Sequence, residues 1–92
     1  MTTYVVIGFN IKDTEKLKAY STQAAPTVAK FEGEFLVKGS VLPLCGQYDY
    51  NVQAIIQFPS KELAESWYAS EEYQALIPLR TQAIDCHFQI IE

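Results

Sequence analysis

The sequence is poor in the residues that carry most metal, redox and nucleophilic chemistry. Its 92 residues include one His, one Trp and two Cys. The thiols, Cys45 and Cys86, are too few for a disulfide framework, and their spacing fits no metal-binding motif. Asp85 and His87 alone supply too few ligands for a metal ion. We therefore predict two reduced cysteines and no metal site.

Positive charge is also sparse and dispersed. Seven Lys and Arg against eleven Asp and Glu give a net charge of −4, and the densest cationic pair is Lys16 and Lys18. Binding to nucleic acid or to an anionic membrane needs a basic face, so we expect neither as a partner. No stretch reaches the roughly 20 apolar residues that span a bilayer, and the N-terminal run lacks the basic start of a signal peptide. We expect a cytoplasmic protein.

Apolar and aromatic residues, by contrast, are abundant, at 49% and 13% of the chain. The length indicates a single domain covering residues 1–92. A chain this short buries only roughly 60–65% of the surface that its unfolded form exposes, which leaves a lone core marginal. We expect part of the apolar content to lie at a subunit interface.

Alternation of apolar and polar residues predicts four strands. They cover residues 3–11, 34–43, 51–58 and 83–92, and each is rich in β-branched or aromatic side chains. The first and second strands are separated by one helical segment, and the third and fourth by another. The order β-α-β-β-α-β predicts an α+β ferredoxin-like sandwich, in which the helices cover one face of a four-stranded antiparallel sheet.

Caps and breakers mark the helical segments. Asp13 is expected to cap the first helix, Pro26 to break or kink it near Ala25, and Gly33 to end it. In the second segment, Ser60 and Ser70 are each expected to start a helix, and Pro78 to distort the last turn.

The two faces of the predicted sheet differ in polarity. The helix-covered face is almost purely apolar and is expected to be core. The other face mixes polar side chains with Val6 and Ile55. Two sheets packed face to face would cover these apolar residues and leave a polar-lined cavity between subunits, where a small ligand could bind.

Candidate functional residues come from this face and from the segment 58–80. His87 is the most obvious general base, since imidazole exchanges protons readily at neutral pH. Asp85, two residues away on the same face, and Tyr73 are the other catalytic candidates. The candidate ligand-binding residues are Tyr4, Asn10, Gln53, Gln57, Trp67, Tyr68 and Arg80.

Each candidate has a structural alternative. His87 is more readily interpreted as a hydrogen-bonded interface or surface residue, and the aromatic side chains of Trp67, Tyr68 and Tyr73 as core or interface anchors. Arg80 is expected either to bind an acidic group of a ligand or to form a salt bridge. The acidic residues expected as its partners are Glu71, Glu72 and Asp85.

The run "FPSKELAESWYASEEYQALIPLR" also carries a family resemblance. Phe58-Pro59-Ser60, Trp67-Tyr68, Ser70, Glu72-Tyr73-Gln74 and Leu79-Arg80 stand in the order typical of the domain of unknown function 1330 family. The chain departs from that pattern at Gln57, where family members often have Glu. An amide does not titrate, so the departure argues against acid–base chemistry at this position.

The resemblance implies a dimeric α/β barrel. Proteins of this architecture include cofactor-free monooxygenases, haem-degrading enzymes and stress-responsive barrels, so it implies a homodimer more firmly than any reaction. No residue pattern supports haem or flavin, and we predict no cofactor. Two functions stay open: a non-catalytic or ligand-binding module, and a cofactor-free, monooxygenase- or isomerase-like enzyme acting on a small, partly apolar, oxygenated molecule.

Overall fold

A computed structural model describes residues 2–92 and contains one antiparallel sheet with helices on one side. The strands are β1 (Thr3–Ile11), β2 (Glu34–Ser40), β3 (Val52–Phe58) and β4 (Ile84–Ile91). The helices are α1 (Thr14–Lys30), α2 (Lys61–Ala69), α3 (Glu71–Gln74) and α4 (Ile77–Ala83). The strand order β2-β3-β1-β4 and the antiparallel pairing confirm the predicted α+β architecture. No helix in residues 2–92 has the length and apolar character needed to cross a membrane.

The two faces of the sheet are set by the alternation along the central strand β1. Val5, Ile7 and Phe9 are buried against the helices. They pair in register with Ile56, Ala54 and Val52 of β3, so one apolar face is continuous across the sheet. The residues between them point away from the helices, and we call that side the open face.

Helix α1 is continuous, and the predicted break at Pro26 is wrong. The helix begins with Asp13, whose side chain accepts a hydrogen bond of 3.0 Å from the amide of Lys16, as predicted. Pro26 removes one backbone donor, which leaves the carbonyl of Thr22 without its helical partner. Both residues are exposed, so that carbonyl is open to solvent, while buried side chains on the other side of α1 hold the helix against the sheet on both sides of the proline.

The end of α1 also differs from expectation. The residue with positive φ is Glu32 (φ 66°), not Gly33. The amide of Gly33 donates to the carbonyl of Val28 at 2.9 Å, and that of Glu32 donates to Ala29 at 3.0 Å, which is the Schellman arrangement. Glycine is required at position 33 because there is no room for a side chain. A Cβ there would lie 2.6 Å from Cγ1 of Val28 and 2.7 Å from Cε1 of Phe58.

The second helical segment consists of three short helices. The hydroxyl of Ser60 caps α2 by accepting from the amide of Leu63, and that of Ser70 caps α3 by accepting from Tyr73, as predicted. Pro78 stands in the first turn of α4 and starts a helix rather than distorting one, because that position has no backbone partner to lose.

Strand β2 is the exposed edge of the sheet. It ends at Ser40, three residues earlier than predicted, and every residue in it is exposed. A register shift between Phe35 and Val37 interrupts its pairing with β3. The connection to β3 carries Leu42 and Leu44, which are 84% and 97% exposed. The helices therefore cover the β3-β1-β4 part of the sheet much more completely than β2.

Candidate functional site

An aromatic cluster lies between the helices and the sheet. Trp67 of α2 is 2% exposed, and Tyr73 of α3 is fully buried. Their ring centroids are 4.5 Å apart, and Trp67 also lies 5.5 Å from Phe58 and 6.4 Å from Phe88. The spacing of Trp67 and Tyr68 on α2 directs one ring into the core and the other to its border. The cluster is thus part of the packing of the domain.

A chain of polar groups runs through this apolar cluster. The hydroxyls of Tyr20 and Tyr73 are 2.5 Å apart. Arg80 Nη1 donates to the hydroxyl oxygens of both Tyr73 and Tyr68, at 3.1 Å each. The guanidinium carbon of Arg80 lies 4.7 Å from the ring centroid of Phe88, a cation–π contact. Helices α1, α2, α3 and α4 each contribute one residue to this chain, which we call the tyrosine–arginine chain.

Trp67 is fixed by a similar contact with α1. Its indole N–H donates to Oγ1 of Thr27 at 3.0 Å, and that hydroxyl donates to the carbonyl of Ala24 at 2.7 Å. Helix α1 therefore anchors both central aromatic residues, Trp67 through Thr27 and Tyr73 through Tyr20. The rings are positioned by hydrogen bonds as well as by packing.

Burial and hydrogen bonding set the charge of the tyrosine–arginine chain. Burial raises the pKa of Tyr20, and its contact with Tyr73 raises it further. Burial also raises the pKa of Tyr73, although the bonds from Tyr20 and Arg80 act against it. Burial disfavours the charged form of Arg80, but the bonds to Tyr73 and Tyr68 outweigh it and raise the guanidinium pKa. At neutral pH, Tyr20 and Tyr73 are neutral and Arg80 is positively charged.

These shifts predict a loss of stability in alkaline solution. In the unfolded chain both phenols ionise near pH 10, which is a lower pH than in the folded protein. Their contribution to the free energy of unfolding is therefore complete below pH 10 and falls as pH rises. Each phenol lowers the free energy of unfolding by up to about 1.4 kcal/mol per pH unit. Urea unfolding between pH 9 and 11 should show a pH dependence of the free energy of unfolding that is shallower by about half a proton on average in Tyr20→Phe. An unchanged slope in that variant would argue against the buried phenol pair.

Three cavities adjoin the tyrosine–arginine chain. One, of about 540 Å³, is lined by Lys12, Arg80, Asp85 and their neighbours. The other two have aromatic residues in their linings. The larger, of about 650 Å³, lies at the edge of β4, and we call it the β4-edge cavity. Its lining includes Trp67, Tyr68, Arg80, Cys86 and Phe88. The smaller, of about 240 Å³, lies between α1 and the sheet, and we call it the α1 cavity. Tyr20, Trp67 and Phe88 are part of its lining.

Within residues 2–92, Arg80 has no carboxylate partner, so the predicted salt bridge with Glu71, Glu72 or Asp85 is wrong. The ion pairs formed within residues 2–92 are Lys30–Glu72 and Lys61–Glu92. Phenol oxygens take the place of a carboxylate because the guanidinium lies inside the aromatic cluster, away from the exposed acidic side chains. Its Nε is buried and makes no hydrogen bond.

His87 lies on the open face, on the other side of the sheet from the tyrosine–arginine chain. It pairs across the ladder with Gly8, and a Cβ on that glycine would lie 2.7 Å from the Nε2 atom of His87. The imidazole therefore packs against the backbone of Gly8. Its ring centroid is 4.6 Å from that of Tyr50, and its Nδ1 is 3.5 Å from the side-chain nitrogen Nε2 of Gln89.

Asn10 positions the loop that brings Tyr50 to His87. Its amide nitrogen donates to the carbonyl of Asp49 at 2.9 Å, and its side-chain oxygen accepts from the amide of Asn51 at 2.7 Å. Both polar ends of the Asn10 side chain are thus bonded to the backbone on either side of Tyr50. This arrangement gives Asn10 a loop-positioning contact that the sequence did not indicate.

The remaining open-face candidates lie in neighbouring rows of the sheet. Tyr4 pairs with Gln57, Gln53 pairs with Gly8, and Asp85 pairs with Asn10. In the hydrogen bonds formed within residues 2–92, His87 is bonded to Gln89 and not to Asp85. In the same part of the chain, no three His, Cys, Asp or Glu side chains come together as a metal-binding group. Acid–base roles for His87 and Asp85 stay predictions.

The structure therefore separates the candidates into two groups. Trp67, Tyr68, Tyr73 and Arg80 come together on the helix side. The others, Tyr4, Asn10, Gln53, Gln57, Asp85 and His87, lie on the open face. Sequence reasoning missed Thr27 altogether and placed Tyr20 only in the apolar stripe of the first helix. Their spacing of seven residues places two hydroxyls on that face, and this signal was available.

Solved structures with a similar backbone support the fold. A protein of unknown function from Rhodopseudomonas palustris superposes with a TM-score of 0.81 at 15% identity, covering 98% of this chain and 80% of that one. SnoaB, a cofactor-independent oxygenase from Streptomyces nogalater, gives 0.72 at 10% identity, covering 99% and 91%. A dimeric ferredoxin-like protein of unknown function from Bacteroides fragilis gives 0.59 at 11% identity, covering 99% and 95%. At these identities the likeness shows the fold alone.

Sequence comparison gives a more specific result than structural likeness. Among curated proteins, none matches this chain. A family model described as Domain of unknown function (DUF1330) matches residues 2–92, which is almost the full length and includes the segment 58–80 on which the resemblance rests. The chain therefore belongs to the DUF1330 family.

Proposed function

We propose that the protein binds a small, partly apolar molecule with an anionic oxygen in the β4-edge cavity. The observation that carries this proposal is Arg80, a half-buried cation that lines the cavity and has no carboxylate partner among residues 2–92. The phenol oxygens that bond to it stabilise its charge but do not neutralise it, and a charged acceptor forms a stronger hydrogen bond than a neutral one. A carboxylate, phenolate or enolate oxygen of a ligand would pair with the guanidinium.

Much of the rest of the lining suits the apolar part of such a ligand, and Glu65, His87 and Gln89 add polar groups. Trp67, Tyr68 and Phe88 offer aromatic surfaces, and Ala64 adds a small apolar one. The volume of about 650 Å³ falls within the usual range for small-molecule sites. The hydroxyl of Tyr68, already bonded to Arg80, is placed to contact the same oxygen of the ligand.

The binding proposal is tested by matched ligands that differ in charge. We expect 2-naphthoate to bind the wild-type protein more tightly than 2-naphthamide, as measured by calorimetry. Arg80→Met should weaken naphthoate binding by about tenfold or more, because it removes a charge-assisted hydrogen bond, and leave naphthamide unchanged. Lys18→Met, the same loss of charge at an exposed site outside the cavity, is the control. Equal weakening by both variants would contradict a specific role for Arg80.

A catalytic function is a second candidate, favoured by the tyrosine–arginine chain. Tyr73 accepts a hydrogen bond from Arg80 and shares a second bond with Tyr20, which orders the hydroxyls beside the guanidinium. Glu65 and His87 line the same cavity and are the groups there that can accept a proton from the ligand. Arg80 would stabilise an enolate or phenolate formed from the ligand. The fold likeness to a cofactor-independent oxygenase is compatible with such chemistry. Deuterium uptake from D₂O by an enolisable ligand, lost in Tyr73→Phe, would support it.

We also propose that two copies associate through the open face. Val37, Ile55 and Val6 form one apolar row across the sheet, and Ile91 lies beside it. Val37 and Ile91 are 55% and 54% exposed in the single chain, which is unfavourable for side chains of this type. A similar fold is described as dimeric in the Bacteroides fragilis protein.

The association is tested by placing a charge in the centre of the apolar row. Ile55→Lys should convert a dimer to a monomer in sedimentation equilibrium, because a lysine there would be buried without a partner. Ser66→Lys, on an exposed position of α2 on the opposite side, should leave the dimer intact. A wild-type protein that sediments as a monomer would overturn the proposal.

A further inference from the structure

We propose that the α1 cavity is a second part of the ligand site and takes an apolar tail. The ligand is then an amphipathic molecule, with an anionic oxygen at Arg80 and a tail of several carbons under α1. This inference rests on the proposed binding of an anionic ligand in the β4-edge cavity. It names the class of ligand and assigns a function to a separate cavity.

The lining of the α1 cavity fits a hydrocarbon tail. Helix α1 contributes Leu17, Ala24 and Val28, and the sheet contributes Ile7 and Ile56. The polar groups at its lining are few, namely the hydroxyls of Tyr20 and Ser21 and the ammonium of Lys38. At about 240 Å³, the cavity exceeds the roughly 150 Å³ that accommodates benzene in an engineered apolar cavity.

Small residues keep this space open. Ala24, Ala25 and Ala54 line the cavity, and larger apolar side chains at these positions would fill it. Space of this kind destabilises a core in proportion to its volume. An apolar ligand segment that fills it would regain the lost contacts.

The two cavities are close enough to hold one molecule. Trp67 and Phe88 line both of them. Their rings are nearly parallel, at an interplanar angle of 25° and a centroid distance of 6.4 Å. Phe88 is only half-buried. The two cavities therefore share two aromatic side chains in their linings.

The tyrosine–arginine chain follows the same path from one cavity to the other. Tyr20 lines the α1 cavity, while Tyr68 and Arg80 line the β4-edge cavity. Fully buried Tyr73 connects them. A ligand spanning both cavities would lie along this chain, with its anionic oxygen at the Arg80 end.

The experiment measures how affinity depends on tail length. Binding of n-alkyl carboxylates from butanoate to decanoate is followed by calorimetry in the wild type, Arg80→Met, Ala24→Leu and Ala29→Leu. We expect affinity to rise about fourfold per methylene in the wild type until the α1 cavity is filled. Ala24→Leu fills the cavity and should flatten the series. Ala29→Leu makes the same change on an exposed part of α1 and should not.

The outcomes separate this inference from the proposed function. Butanoate binding that depends on Arg80, with no gain from longer tails, would overturn the tail site and leave the anion site intact. A length dependence that persists in both Ala24→Leu and Ser21→Leu, a second blocking variant at the cavity lining, would also overturn it. Carboxylate binding that is unchanged in Arg80→Met would overturn both the proposed function and the placement of one ligand across the two cavities.

Discussion

Replacing Trp67 with Ala is expected to lower the free energy of unfolding by about 3–5 kcal/mol, the usual cost of truncating a buried aromatic residue. The ring is almost fully buried and lies within 6.4 Å, centroid to centroid, of four other aromatic rings. Its removal would leave a large cavity beside those rings. Urea unfolding followed by circular dichroism measures the loss without relying on the fluorescence of the only tryptophan.

Trp67→Phe is the matched control for this change. Phenylalanine keeps an aromatic ring but cannot donate to Thr27, so the hydroxyl loses one of its two hydrogen bonds. We expect a cost of about 1–2 kcal/mol from that bond and from the smaller ring. Equal effects of the two substitutions would mean that the hydrogen bond, and not the packing, dominates the contribution of Trp67.

Replacing Gly33 with Ala is expected to cost about 3 kcal/mol, at the upper end for overpacking a core. The new methyl group would meet Val28 and Phe58 at less than 3 Å. Both are buried, and the ring of Phe58 is fixed against Trp67, so neither neighbour can move away easily. The strain would also displace the amide of Gly33, which closes the end of α1. The midpoint of urea unfolding reports the change.

Gly39→Ala is the matched control. A Cβ at Gly39, in the edge strand β2, would have no neighbour within 4 Å. Alanine also lowers the conformational entropy of the unfolded chain, so we expect no loss and a gain of up to about 1 kcal/mol. A Gly33→Ala protein as stable as Gly39→Ala would contradict the close approach of Gly33 to Val28 and Phe58.

Local patterns predicted the fold well where the structure depends on local contacts. The alternation along β1, β3 and β4 and the hydroxyl or carboxylate caps at Asp13, Ser60 and Ser70 are read directly from neighbouring residues. The error at Pro26 has a different origin. Burial of one side of α1 outweighs the loss of a single exposed hydrogen bond, and burial depends on the whole fold.

The candidate site was predicted in part, because some of its residues are neighbours in the sequence and others meet only in the fold. Trp67, Tyr68, Tyr73 and Arg80 stand within one short segment, so their grouping was visible in the sequence. Tyr20 pairs with a hydroxyl 53 residues away, which no periodicity reveals. The sequence also suggested acidic partners for Arg80 because they are its neighbours along the chain. The fold instead surrounds the guanidinium with aromatic rings.

The exposed edge strand has a consequence for how molecules reach the interior. Strand β2 pairs with one neighbour only, and its register is interrupted, so its backbone hydrogen bonds open at lower free energy than those of β1. Phe35 and Lys38 of this strand lie at the border of the α1 cavity. Fraying of β2 would therefore uncover the cavity while the β3-β1-β4 sheet stays folded. Local unfolding of β2 would let an apolar ligand enter the α1 cavity. How often β2 unfolds would then limit the rate of ligand binding.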